Sequence, residues 1–154
     1  MSSTIANVSS LEAHLGFWLR FVSNHVTARF DSLLAERAIS VTEWVALRTL
    51  YQSPDVTHAV LIERLGMTKG AASKIISRLE SKGLAERGVS AQSARAQTLR
   101  LTARGTRLVP ELAALADAND AHFFGHLPAA KRKLLMAELQ DLVDRHDLSL
   151  VPTE

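Results

Sequence analysis

The sequence predicts a mainly α-helical fold with a small β-wing. Three observations predict it. Apolar residues recur at spacings of three and four over long stretches in which glycine and proline are sparse, with seven and four residues in the whole chain. A short helix, a glycine turn and a second helix are followed at once by two short alternating segments. The basic residues are concentrated around those same elements. The fold class that joins them is a winged helix-turn-helix lobe plus a helical dimerisation region.

Each element has its own signal. Residues 1–9 read as a disordered lead. Leu11, Leu15, Trp18, Leu19, Val22 and Val26, continued by Phe30, Leu33 and Leu34, mark an amphipathic helix from Ser10 to Arg37. Ser40-Val41-Thr42-Glu43 is a capping-box pattern that starts the next helix at Ser40, with Trp44, Leu47 and Leu50 or Tyr51 as its buried stripe and Pro54 as its end. Thr57 caps a third, short helix carrying Val60, Leu61 and Leu65, and Gly66 suits the left-handed turn that stops it. Thr68 caps a fourth helix from Lys69 to Lys82, stopped by Gly83. Leu84–Arg87 and Thr98–Leu101 read as strands around a polar loop, Gly88 to Gln97. A long helix from Ala103 places Leu108, Leu112 and Leu115 on one face, and Pro128 opens a last helix striped by Leu135, Leu139, Leu142 and Val143. The domain division is 10–38 and 104–151 as the helical dimerisation region and 39–103 as the lobe.

Composition excludes several classes. With 47% hydrophobic and 22% charged residues the chain belongs with ordinary globular proteins. No cysteine is present, which removes disulfides and thiolate metal cages. No apolar run reaches the ~18–20 residues of a membrane span, and the first nine residues do not resemble a signal peptide, so the expected compartment is the cytoplasm with no membrane partner. His122 and His126 are four apart, with Asp117 and Asp120 nearby, but Gly125 and Pro128 end the helix there. No metal site and no cofactor are expected. No nucleophile elbow, phosphate-binding glycine loop or acid–base pair is present, so the chain does not read as an enzyme.

The net charge of +2 conceals a polarised chain. From Arg64 to Arg107, ten basic residues stand against Glu80 and Glu86, leaving this segment at +8 and the remainder at −6. A solvated charged face is the ordinary reading of such a run, but here it coincides with the helix pair. With Ala72, Ile75 or Ile76, and Leu79 facing inward, the fourth helix turns Lys69, Gly70, Ser73, Lys74, Ser77 and Arg78 outward. Small residues between long cations allow close approach to a DNA major groove, and Thr68 places the positive helix end toward a phosphate. Arg87, Arg95 and Arg100 surround a wing loop without acids, so an arginine at its tip can approach a minor groove.

At this point the chain resembles the MarR family of transcriptional regulators over most of its length, from Leu15 to Val143. Four stretches carry the resemblance: Ile39-Ser40-Val41-Thr42-Glu43-Trp44 with Leu47 and Leu50; Leu65-Gly66-Met67-Thr68-Lys69-Gly70; Arg78-Leu79-Glu80-Ser81-Lys82-Gly83-Leu84; and Leu99-Arg100-Leu101-Thr102-Ala103-Arg104-Gly105. The resemblance implies that Lys69 to Arg78 lie on a recognition helix and that Arg95 is the wing-tip arginine. It also implies that the outer helices, with the tail Leu148, Leu150 and Val151, interlock with a second copy on a palindromic operator. Two departures stand out. Ser93-Ala94-Arg95 lacks the family's aspartate, which leaves Arg95 less constrained, and Ile62 replaces the usual alanine of the motif.

The resemblance further implies a small aromatic or amphipathic effector between the two regions, with His14, Trp18, Phe21, His25, Trp44 and Arg48 as candidate lining residues. At these spacings the ordinary reading of Trp18, Phe21 and Trp44 is core. The functional expectation is a homodimeric, sequence-specific DNA-binding regulator acting as a repressor. The alternatives are a protein–protein adaptor that keeps the fold and a non-specific architectural DNA binder.

Overall fold

The computed structural model of the chain describes residues 6–53, 55–89 and 97–149. A 3-10 turn at Leu11–Ala13 leads into six helices and three strands: α1 Leu15–Ala35, α2 Val41–Leu50, β1 Val56–Thr57, α3 His58–Leu65, α4 Lys69–Ser81, β2 Ala85–Val89, β3 Gln97–Leu101, α5 Ala103–Phe124 and α6 Ala129–Arg145. The sheet order is β1-β3-β2, antiparallel throughout. The core gathers around α2, with Leu47, Leu61, Leu79, Leu99 and Leu112 fully enclosed and Leu34 joining from the end of α1.

The caps act as their residue types require. Ser40, Thr57, Thr68 and Thr102 accept from the backbone N–H groups of Glu43, Val60, Ala71 and Gly105 at 3.1, 3.3, 3.2 and 3.1 Å. Gly66 and Gly83 adopt φ of 61° and 69°, the left-handed stops expected after α3 and α4. Thr102 also donates to Gly83 O at 2.6 Å, and a Cβ on Gly105 would lie 2.1 Å from Leu84 O. The first turn of α5 therefore rests directly on the backbone that follows α4, and only glycine permits that approach.

Several boundaries differ from the sequence reading. The first helix starts at Leu15, because His14 is extended and its ring nitrogen Nδ1 bonds Ser10 O at 2.9 Å. The second ends at Leu50, ahead of Pro54, which lies outside the described residues. Pro110 sits inside α5, where its ring removes one backbone donor without ending the helix. β1 is an additional strand. Its two residues pair as Val56↔Leu99 and Thr57↔Thr98, too short a run to show alternation in sequence.

The capping box is half formed. Ser40 caps as expected, but the Glu43 carboxylate turns inward, 5% exposed, and meets Lys82 Nζ at 2.6 Å. The same ammonium donates to the carbonyl of Ala38, which stands in the left-handed region at φ 54°. A second polar tie joins α1 to α5: Asn119, 5% exposed, accepts from Arg29 Nη1 at 2.9 Å and donates to Val26 O at 3.1 Å. Trp18 and Phe21 are 49% and 53% exposed and take no part in the core, contrary to the core reading of those rings. Trp44 is half-buried and packs edge-on against Phe30, with ring centroids 6.3 Å apart.

Removing Lys82 leaves the Glu43 carboxylate enclosed without a partner. Lys82→Met is expected to lower stability by about 2 kcal/mol, less than for a fully enclosed pair because the lysine side chain is 33% exposed. Adding Glu43→Leu should recover most of the loss. Urea unfolding at one fixed protein concentration checks both, and an additive double variant would show that the two residues do not act as a pair.

Candidate nucleic-acid interface

α3, the Gly66 turn and α4 form the helix-turn-helix, and α4 divides cleanly by face. Ala72, Ile75, Ile76 and Leu79 are buried, while Thr68, Lys69, Gly70, Ser73, Lys74, Ser77 and Arg78 are exposed. Its 13 residues give a rod of roughly 20 Å. Among the described residues Lys69, Lys74 and Arg78 take part in no salt bridge, so their charge is directed to solvent. A Cβ on Gly70 would meet nothing within 4 Å, so no contact inside the chain explains a glycine there. The Ser73 hydroxyl donates to Lys69 O at 2.9 Å, lying flat on the helix.

The wing arginines behave differently. Arg87 Nε lies 2.6 Å from Glu80 Oε1, which ties β2 to α4. Arg100 Nε lies 2.8 Å from Glu86 Oε1 across the two strands. Both remain exposed, yet each is half-committed to an acid that sequence reading treated as a minor subtraction from the charge. Lys82 is drawn into the fold by Glu43. Arg95, with Ser93 and Ala94, falls outside the described residues, as do Leu150 and Val151.

His58, at the start of α3, stands beside the Arg87–Glu80 pair. Burial holds its imidazole below the usual histidine range, nearby Arg87 adds to this, and Glu80 opposes it. Its Nε2 finds no hydrogen-bond partner among the described residues.

The candidate effector residues separate into two groups. Trp18 and Phe21 stack with each other and with Phe17 on α1, and Phe21 continues to His25 at 5.1 Å. His14 folds back on the preceding turn, and Trp18 Nε1 donates to Glu12 O at 3.0 Å. Trp44 belongs with Phe30, and Arg48 lies over the Tyr51 ring at 5.8 Å. Among the described residues no ring pair joins the two groups. His122 packs edge-on against Phe123, His126 lies beyond the end of α5, and Asp120 pairs with Arg132 at 2.8 Å. Among the described residues no three His, Asp or Glu converge on a metal position, and no helix is long and apolar enough to cross a membrane.

A helix-turn-helix with a stable inner face, a cationic outer face and a β-hairpin beside it defines a winged helix-turn-helix protein. The chain belongs to the MarR family. The family's model matches residues 39–96, from the start of α2 through the wing loop. The HTH-type transcriptional repressor Rv2887 of Mycobacterium tuberculosis is 30% identical over 131 residues, which span 85% of this chain and 94% of that protein. Among solved structures, the DNA complex of Staphylococcus aureus MepR superposes with a TM-score of 0.77 at 22% identity, covering 86% of this chain and 98% of that one. Bordetella bronchiseptica BpsR, whose DNA binding is regulated by 6-hydroxynicotinic acid, superposes with a TM-score of 0.79 at 20% identity, covering 90% and 99%.

Two measurements follow from this geometry. Gly70 is the second residue of α4, in helical backbone with open space around it, so Gly70→Ala should raise stability by about 0.4–1 kcal/mol in thermal or urea unfolding. Loss of stability would mean that the glycine serves the fold.

His58 binds its proton less readily in the folded chain than in the unfolded one. Stability is therefore expected to fall as pH drops from the ordinary histidine value of 6.5 through the lowered folded value. His58→Gln should flatten that acid limb of the urea midpoint against pH. An unchanged limb assigns it to other groups.

Proposed function

We propose that this protein is a homodimeric transcriptional repressor that reads a palindromic operator with α4. Residues 39–103 serve as the DNA-binding lobe, and residues 10–38 with 104–151 as the dimerisation region. The observation that carries the reading is the outer face of α4, where Lys74 and Arg78 stand unpaired among the described residues beside Gly70, which has no packing reason to be glycine. Lys74 and Arg78 would meet base edges or phosphates, Thr68 and Lys69 would present the positive helix end to a phosphate, and Ser73 and Ser77 would permit close approach. Arg87 would meet the backbone from β2, and Arg95 would enter the minor groove.

Dimerisation is supported by what one copy leaves uncovered. Among the described residues, apart from Val45 and Val89, the exposed large hydrophobic residues are in the N-terminal segment up to Val22 or in α6 and its tail. They include Leu15, Trp18, Leu19, Leu135, Leu139 and Leu142. A soluble monomer rarely exposes so many large apolar side chains along two of its helices, and a second copy related by a two-fold axis would cover them. Two lobes would then present their α4 helices about one DNA turn apart, near 34 Å.

His14, Trp18, Phe21 and His25 at the start of the chain, and Trp44 and Arg48 on α2, would contribute to the binding of a small aromatic or amphipathic effector. The relatives support this reading through BpsR and through CouR of Rhodococcus jostii, which binds p-coumaroyl-CoA.

Binding to the protein's own upstream DNA, measured against scrambled DNA over a range of salt, tests the proposal. Lys74→Ala should flatten the preference for the specific site, losing about 1–3 kcal/mol of discrimination. Arg95→Ala should weaken binding and lower the salt slope by about one. Equal affinity for both DNAs in the unaltered protein would point to an architectural binder. No retention on either at low salt, with the dimer intact in light scattering, would point to an adaptor.

A further inference from the structure

An open cleft of about 500 Å3 lies between the C-terminal end of α1, the C-terminal end of α4 and the first turns of α5. Four cationic side chains line it, Arg37, Lys82, Arg104 and Arg107, against one carboxylate, Glu111. Two of the four are compensated: Arg37 Nε is 3.8 Å from Glu111, and Lys82 is held by Glu43. Among the described residues Arg104 and Arg107 take part in no salt bridge. The cleft thus keeps the charge of two guanidinium groups, and like charges gathered in a concavity favour an anion.

The walls are held in place. Arg104 Nη1 donates to Lys82 O at 3.2 Å, which fixes one edge of its guanidinium and leaves further N–H groups for an outside acceptor. The glycine contact between Gly105 and Leu84 O seats α5 against the opposite wall. Between the cations the lining is apolar, from Ile39, Leu84 and Leu108.

We propose that this cleft binds a small organic dianion, a phosphate monoester on a compact apolar body. Arg104 and Arg107 would grip the phosphate, since a guanidinium fork matches its oxygens, and the apolar body would lie on Ile39, Leu84 and Leu108. None of these residues belongs to the outer face of α4 or to the ring array of α1. An anion here also faces Lys82, whose ammonium joins α2 to the end of α4, so occupancy bears on how α4 is seated.

Phenyl phosphate titrated into the full chain, followed by amide NMR shifts, tests this without reference to DNA. Saturable shifts are expected around Ala38, Leu84, Arg104 and Arg107, with none from phenol and binding of inorganic phosphate weaker by about tenfold. Arg104→Gln with Arg107→Gln should lose about tenfold in affinity for each arginine, with the melting temperature lowered by no more than a few degrees through loss of the Arg104 bond to Lys82 O. Should the pair fail to fold, the exposed Arg107→Gln alone carries the same tenfold expectation.

Non-saturating shifts, shifts confined to α1 and α6, or full affinity in the variants would overturn the proposal. Equal affinity for inorganic and phenyl phosphate would overturn the assignment to an organic ligand. A loss of DNA affinity in the ligand-free variants would place a DNA phosphate in the cleft instead.

Discussion

Lys82 Nζ stands between the Glu43 carboxylate and the Ala38 carbonyl, and this one ammonium joins three parts of the chain. Lys82 is the C-cap residue of α4, and its ammonium anchors the first turn of α2 and pins the left-handed turn at Ala38 through which α1 hands over to the lobe. An enclosed ion pair adds little net energy over apolar packing, because removing two charges from water offsets most of their attraction. What it supplies is geometry. An apolar pair would tolerate sliding of α4 along α2, whereas a charge pair that also serves a backbone carbonyl accepts one arrangement. The outward face of α4 is presented at a fixed angle because its far end is held this way. The glycine contact of α5 on Leu84 braces the same point from the other side.

The charge of the lobe acquires a shape from such pairings. Of the ten basic residues between Arg64 and Arg107, Lys82, Arg87 and Arg100 are each matched by an acid at 2.6–2.8 Å. The positive field is therefore not a uniform band. Among the described residues of this segment the cations without an acid partner are Arg64 on α3, Lys69, Lys74 and Arg78 on α4, and Arg104 and Arg107 at the start of α5. The outer face of α4 and the cleft beside α5 remain distinct positive regions because Lys82, which follows α4, is already engaged by Glu43.

The ends of the chain follow a different logic. α1 is tied to α5 through Asn119 and Arg29, a buried polar bridge that sets the two helices in register. Beyond that bridge, toward the N-terminus of α1 and along α6, the apolar residues have no cover in a single copy. Trp18 and Phe21 keep about half their surface exposed, so their periodicity marked an apolar face of the helix without specifying what it packs against.

The helices, their caps and the two glycine stops were legible in the residues alone, because helix periodicity and capping are local and need only a few neighbours along the chain. The inward and outward faces of α4 were legible for the same reason. The two-residue strand β1 was not, since its only evidence is the partner strand, 43 positions away at Val56↔Leu99. Nor was the role of Glu43. Its position three residues after Ser40 suggested a capping carboxylate, but the fold brings Lys82 within 2.6 Å, and a full opposite charge outbids a backbone N–H. Sequence also counted Arg87, Arg100 and Lys82 as free positive charge, because net charge is a sum and carries no distances. Local chemistry decided which residues face outward on α4. Tertiary contact decided which cations are left to act, because electrostatic pairing depends on separation in space.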